Sequence, residues 1–332
     1  MGREPFFLQW HLTDACNQRC AHCYRDAPQA DLPEAALTAI LDQFQAFLRR
    51  RWLPGRVHFT GGEPLLRPDR LLSLMRAARE RALRTRLLTN GTLLKPALAC
   101  DLAAAGCEAV QISLEGPREV HDQVRGEGSF EAALAGAGHA RRAGLSTTLS
   151  IAVARWNRVH LPAVASLARE HFDRLFVHRF VPWGHGAPLV GEALSAAEWR
   201  QVARWCLRTS ASRAGPPIPF RDPTFACLRP RPPAEGPLVG GCAVGYTGFA
   251  VEANGDVYPC RRLPVVIGNL LHDDLEEIWR GEALEQLRNR DALTDRCGRC
   301  RLRWHCGGCR AVAYALGGSA LAEDPQCPLR RR

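Results

Sequence analysis

The chain has 332 residues and a mass of 36.7 kDa, with 46% hydrophobic and 23% charged residues, which is typical of a globular protein with a sizeable core. No apolar run reaches the roughly 18 residues of a membrane-spanning helix, and the amino terminus lacks a signal-peptide or anchor pattern, so we expect a cytoplasmic protein without membrane contact. The formal net charge is +10, but Lys95 is the only lysine, so the charge indicates an arginine bias and a nucleic-acid partner is not expected.

Six short apolar segments between Phe6 and Val181 are predicted to be buried strands. In chain order they are FFLQWHLT, RVHFT, RTRLLTN, AVQISLEG, STTLSIAV and RLFVHRFV. The intervening and following segments carry apolar residues at helical spacing; they are EAALTAILDQFQAFLRR, DRLLSLMRAARERA, PALACDLAAAG, SFEAALAGAGHARRAG, VHLPAVASLAREHF and SAAEWRQVARWCLRTS. This alternation predicts an α/β fold with a parallel sheet, either an open wound sheet or a partial barrel.

Three motifs follow the first three strands in order. A cysteine-rich loop follows strand one, TGGEP follows strand two and TNG follows strand three. In both architectures the chemistry lies at the carboxyl ends of the strands, so the three loops are expected to converge on one site.

The first loop, TDACNQRCAHCY, places Cys16, Cys20 and Cys23 in a CxxxCxxC pattern. Thiols stay reduced in the cytosol, so clustered cysteines there indicate metal binding rather than disulfides. A four-iron cluster takes four ligands, and three cysteines leave one iron open. A zinc site is the alternative and needs a fourth ligand, for which His11 and His22 are candidates; the position after strand one and the TGGEP motif argue against zinc.

This pattern with its following aromatic resembles the radical S-adenosylmethionine (SAM) superfamily. The resemblance implies a partial (β/α)6 TIM-like barrel in which SAM chelates the open iron of a [4Fe-4S] cluster. Reduction then cleaves the sulfonium and releases a 5'-deoxyadenosyl radical. In TGGEP, the carbonyls of Gly61 and Gly62 and the carboxylate of Glu63 are suited to receive the SAM ammonium, because glycines permit close backbone approach.

Other SAM-binding residues are implied by the same resemblance. SLEG, residues 113–116, resembles the SLDG of the family, with Glu115 in place of the usual aspartate. For Asn90 and Ser150, a role in a strand-end turn or in core packing is an equal alternative to SAM binding. The full candidate set is Tyr24, Gly61, Gly62, Glu63, Pro64, Asn90, Ser113, Arg125, Ser150 and Val181.

The remainder of the chain changes character. Residues 213–241 are dense in proline and glycine and are predicted to be a linker, after which cysteines dominate. We therefore divide the chain into a core barrel at 1–190, the last barrel helix and linker at 191–224, and a cysteine-rich iron-sulfur domain at 225–332. The third region resembles the SPASM extension of radical SAM enzymes, in which seven cysteines hold two auxiliary [4Fe-4S] clusters.

Carried over by position, the resemblance implies two auxiliary ligand sets, called here the outer and the inner set. The outer set is Cys297, Cys300, Cys306 and Cys327. The inner set is Cys242, Cys260 and Cys309, with Cys227 as the candidate fourth ligand. If Cys227 is not a ligand, the inner cluster has an open iron. The alternative is a zinc-ribbon-like module, because CxxC pairs also bind zinc.

The expected cofactors are therefore SAM and three [4Fe-4S] clusters. Auxiliary clusters near a radical site suit net oxidation, and the favoured hypothesis is a maturase that oxidatively modifies a peptide or protein. The alternative is a tetrapyrrole, haem-type or other small-molecule oxidase or decarboxylase, to which CGGCRAVAYA and DPQC are similar. A non-enzyme alternative is an iron-sulfur electron carrier or scaffold.

Substrate contacts are predicted at four residues. Arg261 and Arg262 suit a substrate carboxylate, with surface charge as an equal alternative. Trp183 and His185 follow the sixth strand at the open barrel end, and packing of the loop is at least as good an interpretation of Trp183. Arg261 stands where sulfatase-maturing relatives carry an acidic residue, which argues against that activity. The expected partners are a flavodoxin- or ferredoxin-type reductant and the substrate. Because the barrel begins near the first residue, a peptide substrate requires a separate leader-recognition protein or direct docking.

Overall fold

The computed structural model describes residues 5–25, 30–212, 215–228 and 241–329. A nine-stranded sheet organises the chain, in the order β6-β5-β4-β3-β2-β1-β7-β8-β9. The strands are β1 (Phe6–His11), β2 (Gly55–Thr60), β3 (Arg84–Thr89), β4 (Cys107–Ser113), β5 (Ser146–Val153), β6 (Arg174–Arg179), β7 (Gly248–Val251), β8 (Asp256–Tyr258) and β9 (Gly268–Asn269). Strands β1 to β6 pair in parallel with their sequence neighbours, which confirms the predicted alternation.

Eleven α-helices connect and flank these strands within the described residues. They are α1 (Glu34–Arg51), α2 (Pro68–Glu80), α3 (Pro96–Ala104), α4 (Arg118–Arg125), α5 (Ser129–Arg142), α6 (Leu161–His171), α7 (Ala196–Ala211), α8 (Leu275–Arg280), α9 (Glu282–Arg288), α10 (Asp295–Gly298) and α11 (Arg310–Gly317). None of the helices in the described ranges is long and apolar enough to cross a bilayer.

The core lies between the sheet and the helices. Side chains on one face of each strand, such as Trp10, Phe59 and Leu87, are fully buried, and α1 contributes Phe44 and Phe47 to the same core. Because strand residues alternate between faces, their neighbours along each strand face the inside of the curved sheet. Strands β1 and β6 do not pair with each other in the described chain, so the six-strand unit is a partial barrel.

The C-terminal region extends the barrel sheet. Strand β7 pairs in parallel with β1 from Phe7–Gly248 to Trp10–Val251, and β8 and β9 follow in antiparallel pairing. The sequence analysis did not predict this extension. The predicted linker at 213–241 lies partly outside the described residues; its described part contains a 3-10 turn over Pro223–Cys227.

Candidate active site

A cleft at the carboxyl ends of the strands brings the predicted motifs together. The space between its walls, including the solvent at its open mouth, is about 940 Å³. Cys16, Cys20 and Cys23 line it, and Cys16 is exposed while the other two are half-buried. Predicted SAM-binding and substrate residues also line it, namely Tyr24, Gly62, Asn90, Ser113, Arg125, Ser150, Val181, Arg261 and Arg262.

The TGGEP loop is fixed against the cysteine loop by backbone hydrogen bonds. The amide of Gly62 donates to the carbonyl of Thr13 at 2.7 Å, and the amide of Glu63 donates to the carbonyl of Ala15 at 2.8 Å. A Cβ atom at Gly62 would lie 2.5 Å from the carbonyl oxygen of Asp14 and in similar conflict with that of Ala15. Only glycine therefore allows the two loops to pack at this distance.

We expect Gly62→Ala to lower the free energy of unfolding by about 1–3 kcal/mol and to impair iron loading at the cysteine loop, because the new methyl group clashes with backbone that cannot move aside. Urea denaturation and iron analysis after anaerobic reconstitution test this. Gly191→Ala is the matched control, since a Cβ there meets nothing within 4 Å. Equal stability and iron content in the two variants would contradict the packing argument.

Glu63 is fully buried behind the cleft wall and joins two of the loops. Its carboxylate accepts hydrogen bonds from the Thr89 hydroxyl at 2.7 Å, the Asn90 amide at 2.8 Å and the Leu65 amide at 3.0 Å. The loops after β2 and β3 are therefore held in register by this side chain. Gly61 and Pro64 likewise are not in the cleft lining, so SAM binding by these three residues stays a prediction.

A buried charge network lies beside Cys20. Glu115 accepts from Arg125 at 2.7 and 3.1 Å and contacts His22 Nε2 at 3.2 Å. Burial alone would raise the pKa of Glu115, but His22 and Arg125 lower it well below its usual range. Arg125 also reaches Cys20 Sγ at 3.7 Å. Burial raises the pKa of the Cys20 thiol, and the guanidinium that the network holds against the cysteine loop opposes this rise.

The two histidines considered as zinc ligands have other partners. His11 contacts Tyr24 Oη at 2.9 Å and Glu252 at 3.0 Å, and His22 contacts Glu115. Within the part of the chain that the structure describes, no three His, Cys, Asp or Glu side chains converge on a single-ion position. A thiol set on one loop without a converging imidazole fits a larger iron-sulfur cluster better than one zinc ion.

Glu252 connects the cysteine loop to the C-terminal region. It pairs with Arg25, which also pairs with Asp14, and it contacts His11. Burial lowers the pKa of His11, and the neighbouring Glu252 opposes this shift. Burial alone would raise the pKa of Glu252, but His11 and Arg25 lower it to about 2. The residue after β7 is thus part of the support for the loop.

Several cleft residues were not predicted. They are Gln18 and His22 of the cysteine loop, and Thr60, Leu88, Thr89, Gln111, Glu115, Ala152, His178, Arg179 and Phe180 at or near the carboxyl ends of β2 to β6. The alternation that marks Ser113 and Ser150 as inner-face residues also marks Gln111 and Ala152, two positions from them, so this signal was available in the sequence.

Trp183 and His185 are not brought into the cleft lining. The Trp183 ring packs against Tyr314 of α11, with 5.6 Å between the ring centroids. The backbone amide of His185 donates to the Arg25 carbonyl at 3.2 Å. In contrast, the Arg262 guanidinium lines the cleft and donates to the Arg179 carbonyl at 3.1 Å, and Arg261 lies 5.8 Å from the centre of the Tyr24 ring.

A second cavity, of about 420 Å³, lies in the C-terminal region. Its cysteines are Cys227, Cys297, Cys300, Cys306 and Cys327. The outer set predicted from the sequence is therefore brought together. Cys227 also lies here, beside Cys306, and its assignment to the inner set stays a prediction.

The position of Cys227 has a local cause. It ends the 3-10 turn Pro223–Cys227, whose start is capped by the Asp222 carboxylate accepting from the Thr224 amide at 2.9 Å. Asp222 is itself held by Arg179 at 2.8 Å, and the Cys227 thiol donates to the Thr224 carbonyl at 3.0 Å. The turn is therefore anchored to the barrel and directs Cys227 towards the outer set.

The inner set lies between the two cavities. Arg262, which lines the first cleft, is close to both Cys260 and Cys309. Cys309 is in turn close to Cys242, whose amide donates to the Cys306 carbonyl of the outer set at 3.0 Å. The three thiols Cys242, Cys260 and Cys309 thus occupy the region between the barrel cleft and the outer cavity.

Comparison with known proteins agrees with this geometry. Residues 10–168 match the model of the radical SAM superfamily, and residues 242–301 match that of the SPASM iron-sulfur cluster-binding domain. The chain is 33% identical to an AdoMet-dependent heme synthase of Methanosarcina barkeri, with 99% of this chain and 98% of the relative covered. It is 32% identical to the mycofactocin maturase MftC of Mycobacterium ulcerans, with 97% and 88% covered.

Solved structures with the same fold include native anSMEcpe with bound AdoMet, at 20% identity and a TM-score of 0.78 over 97% of this chain and 94% of that one. Streptococcus suis SuiB bound to precursor peptide SuiA matches at 19% identity and a TM-score of 0.76, with 98% and 76% covered. The solved structures show the same fold, and the two family-model matches and the whole-length sequence relatives show that the chain belongs to the radical SAM superfamily and carries a SPASM-type iron-sulfur domain.

Proposed function

We propose that this radical SAM enzyme oxidatively modifies a substrate that presents a carboxylate to Arg261 and Arg262. Bound SAM and its iron-sulfur cluster supply the radical cleavage chemistry of the superfamily. Cys16, Cys20 and Cys23 are suited to hold that cluster, and the inner and outer cysteines are suited to hold two auxiliary [4Fe-4S] clusters. A cytoplasmic location suits fourteen cysteines because thiols stay reduced there.

The observation that carries this proposal is the charge of the cleft wall. Four arginines line the cleft, but Arg125 pairs with Glu115 and Arg179 pairs with Asp222 and Asp324. Arg261 and Arg262 form no ion pair within the described ranges. Guanidinium groups bind carboxylates through charge-assisted hydrogen bonds, so this pair supports an anionic substrate group at this wall of the cleft.

The favoured substrate is a peptide or protein. The cleft lined by Cys16, Cys20 and Cys23 has to accommodate a cluster, SAM and the reacting group together. This requirement favours a substrate that inserts one side chain or chain end while its remainder stays outside. The relatives named as maturases support this class, and the same fold holds a precursor peptide in SuiB. A separate leader-recognition protein and a flavodoxin- or ferredoxin-type reductant are proposed partners.

A tetrapyrrole is the second candidate. The whole-length similarity to an AdoMet-dependent heme synthase favours it, and a propionate arm also presents a carboxylate. Anaerobic incubation with SAM and dithionite tests both: the enzyme is supplied with either iron-coproporphyrin III or the peptides encoded beside its gene, and products are analysed by mass spectrometry. Modification of one set identifies the class, and no modification of either set contradicts the proposal.

We expect the double variant R261Q/R262Q to lower kcat/KM for the identified substrate by on the order of tenfold to a hundredfold, mainly through KM, because two charge-assisted hydrogen bonds to the carboxylate are lost. Arg280→Gln is the control, since Arg280 is 76% exposed and lies on α8, away from the cleft. An unchanged KM in the double variant would contradict the assignment of these arginines.

A further inference from the structure

Two arginines of the C-terminal region are fully buried and face the auxiliary cysteines. Arg290 follows α9, and Arg310 begins α11 directly after Cys309; both side chains are at 0% exposure. Arg310 Nη2 lies 3.8 Å from Cys297 Sγ of the outer set. Arg290 Nη2 donates to the carbonyl of Cys242, of the inner set, at 2.7 Å.

Neither guanidinium has a carboxylate partner among the residues that the structure describes. Arg310 Nη1 donates to the carbonyls of Ala320 and Ala322 at 2.8 Å, while its Nε has no hydrogen-bond partner. Arg290 leaves both Nε and Nη1 without a hydrogen-bond partner, although its guanidinium lies 5.7 Å from the centre of the Tyr246 ring. The equally buried Arg179, in contrast, is paired with two carboxylates.

An isolated buried cation is strongly unfavourable unless an anion lies next to it. Two glycines lie directly against the guanidinium groups of these arginines. A Cβ at Gly308 would lie 2.6 Å from Arg310 Nη2 and 3.3 Å from Cys297 Sγ, and a Cβ at Gly307 would lie 2.6 Å from Arg290 Cζ. The two glycines of CGGC thus leave space that the guanidinium groups occupy.

We propose that Arg310 is the counter-cation of the outer auxiliary centre, and that Arg290 adds a buried positive charge beside Cys242 of the inner centre. This inference rests on the proposed assignment of the two centres. A [4Fe-4S] centre with thiolate ligands is anionic, and reduction adds a further negative charge. A guanidinium in contact with a ligand sulfur therefore stabilises the reduced form more than the oxidised form, and nearby charge and hydrogen bonds set the reduction potential. Arg310 is a positioning and tuning residue of the outer centre.

The test uses the full chain with Cys16, Cys20 and Cys23 replaced by alanine, so that only the auxiliary centres are loaded. Arg310→Gln is compared with Arg310→Lys in a reductive titration followed by electron paramagnetic resonance. We expect the reduction potential of one centre, the outer one, to become more negative in Arg310→Gln and to remain close to the parent value in Arg310→Lys. Chelator should also remove iron several-fold faster from Arg310→Gln. Arg280→Gln is the control for a surface charge.

Two results would overturn the proposal while leaving the assignment of the auxiliary centres intact. One is an Arg310→Gln chain with full iron and an unshifted reduction potential; the other is an Arg310→Lys chain whose reduction potential shifts as far as that of Arg310→Gln. If Arg310→Gln does not fold, Arg290→Gln provides the second variant, and its shift should fall on the other centre. A parent chain that fails to load about eight irons would instead overturn the assignment of the centres, and the proposal with it.

Discussion

Cys20→Ala is expected to abolish formation of 5'-deoxyadenosine from SAM, the largest effect on activity of any single substitution considered. Cys20 lies in the middle of the CxxxCxxC loop, lines the cleft and contacts Arg125. Removing one of three thiolates leaves the cluster without a complete protein ligand set. The measurement is chromatographic detection of 5'-deoxyadenosine after anaerobic incubation with SAM and dithionite.

Cys100→Ala is the matched control for Cys20→Ala. Cys100 is an exposed cysteine on α3 that lines neither cavity, so its loss should leave 5'-deoxyadenosine formation at the parental rate. The iron content of Cys20→Ala should fall by about four atoms per chain while the remaining iron is retained. Undiminished SAM cleavage in Cys20→Ala would refute the assignment of this loop.

Arg179→Met is expected to lower the free energy of unfolding by about 3–5 kcal/mol, because it leaves the buried carboxylates of Asp222 and Asp324 without their cation. Burial alone would lower the pKa of Arg179, but these two carboxylates raise it well above its usual value. Asp324 also accepts from the Cys309 amide at 2.8 Å, and its own amide donates to Cys297 Sγ at 3.4 Å. Loss of Arg179 should therefore also loosen both auxiliary ligand sets.

Anaerobic urea denaturation of the iron-loaded chain measures the effect of Arg179→Met. The control is Arg155→Met, because Arg155 is 47% exposed and its pair with Glu198 lies at the surface, where ion pairs contribute about 0–1 kcal/mol. If the two substitutions lower the free energy of unfolding by the same amount, the buried network does not hold the C-terminal region to the barrel in the way its geometry indicates.

Local patterns account for the parts of the fold that could be predicted. Strands β1 to β6 were found because each is a short apolar run followed by a helical repeat. Helix α4 was missed since His121 is its only buried residue, so it has no apolar face to detect. Strands β7 to β9 have 4, 3 and 2 residues, and β7 is defined by pairing with β1, some 240 positions earlier in the chain. Such a distant partner leaves no periodic signal.

The candidate site also contains residues that could be predicted from the sequence and residues that could not. Cys16, Cys20 and Cys23 were predictable because their spacing alone places three thiols on one loop. The position of Cys227 at the outer cavity could not be predicted, because spacing along the chain does not report the anchored turn that directs it there. The contacts of Glu252 and Asp324 join residues far apart in sequence, so they become visible only when the chain is folded.

The pairing of β7 with β1 makes the barrel dependent on the domain that follows it. Without residues 248–251, the backbone amides and carbonyls on that side of β1 would be left as an open sheet edge, the usual starting point for strand-to-strand aggregation. The catalytic half is thus not a unit that can be transferred to another protein by itself. A chimera that grafts it onto a foreign iron-sulfur module needs to import a strand for β1 along with the new cluster ligands.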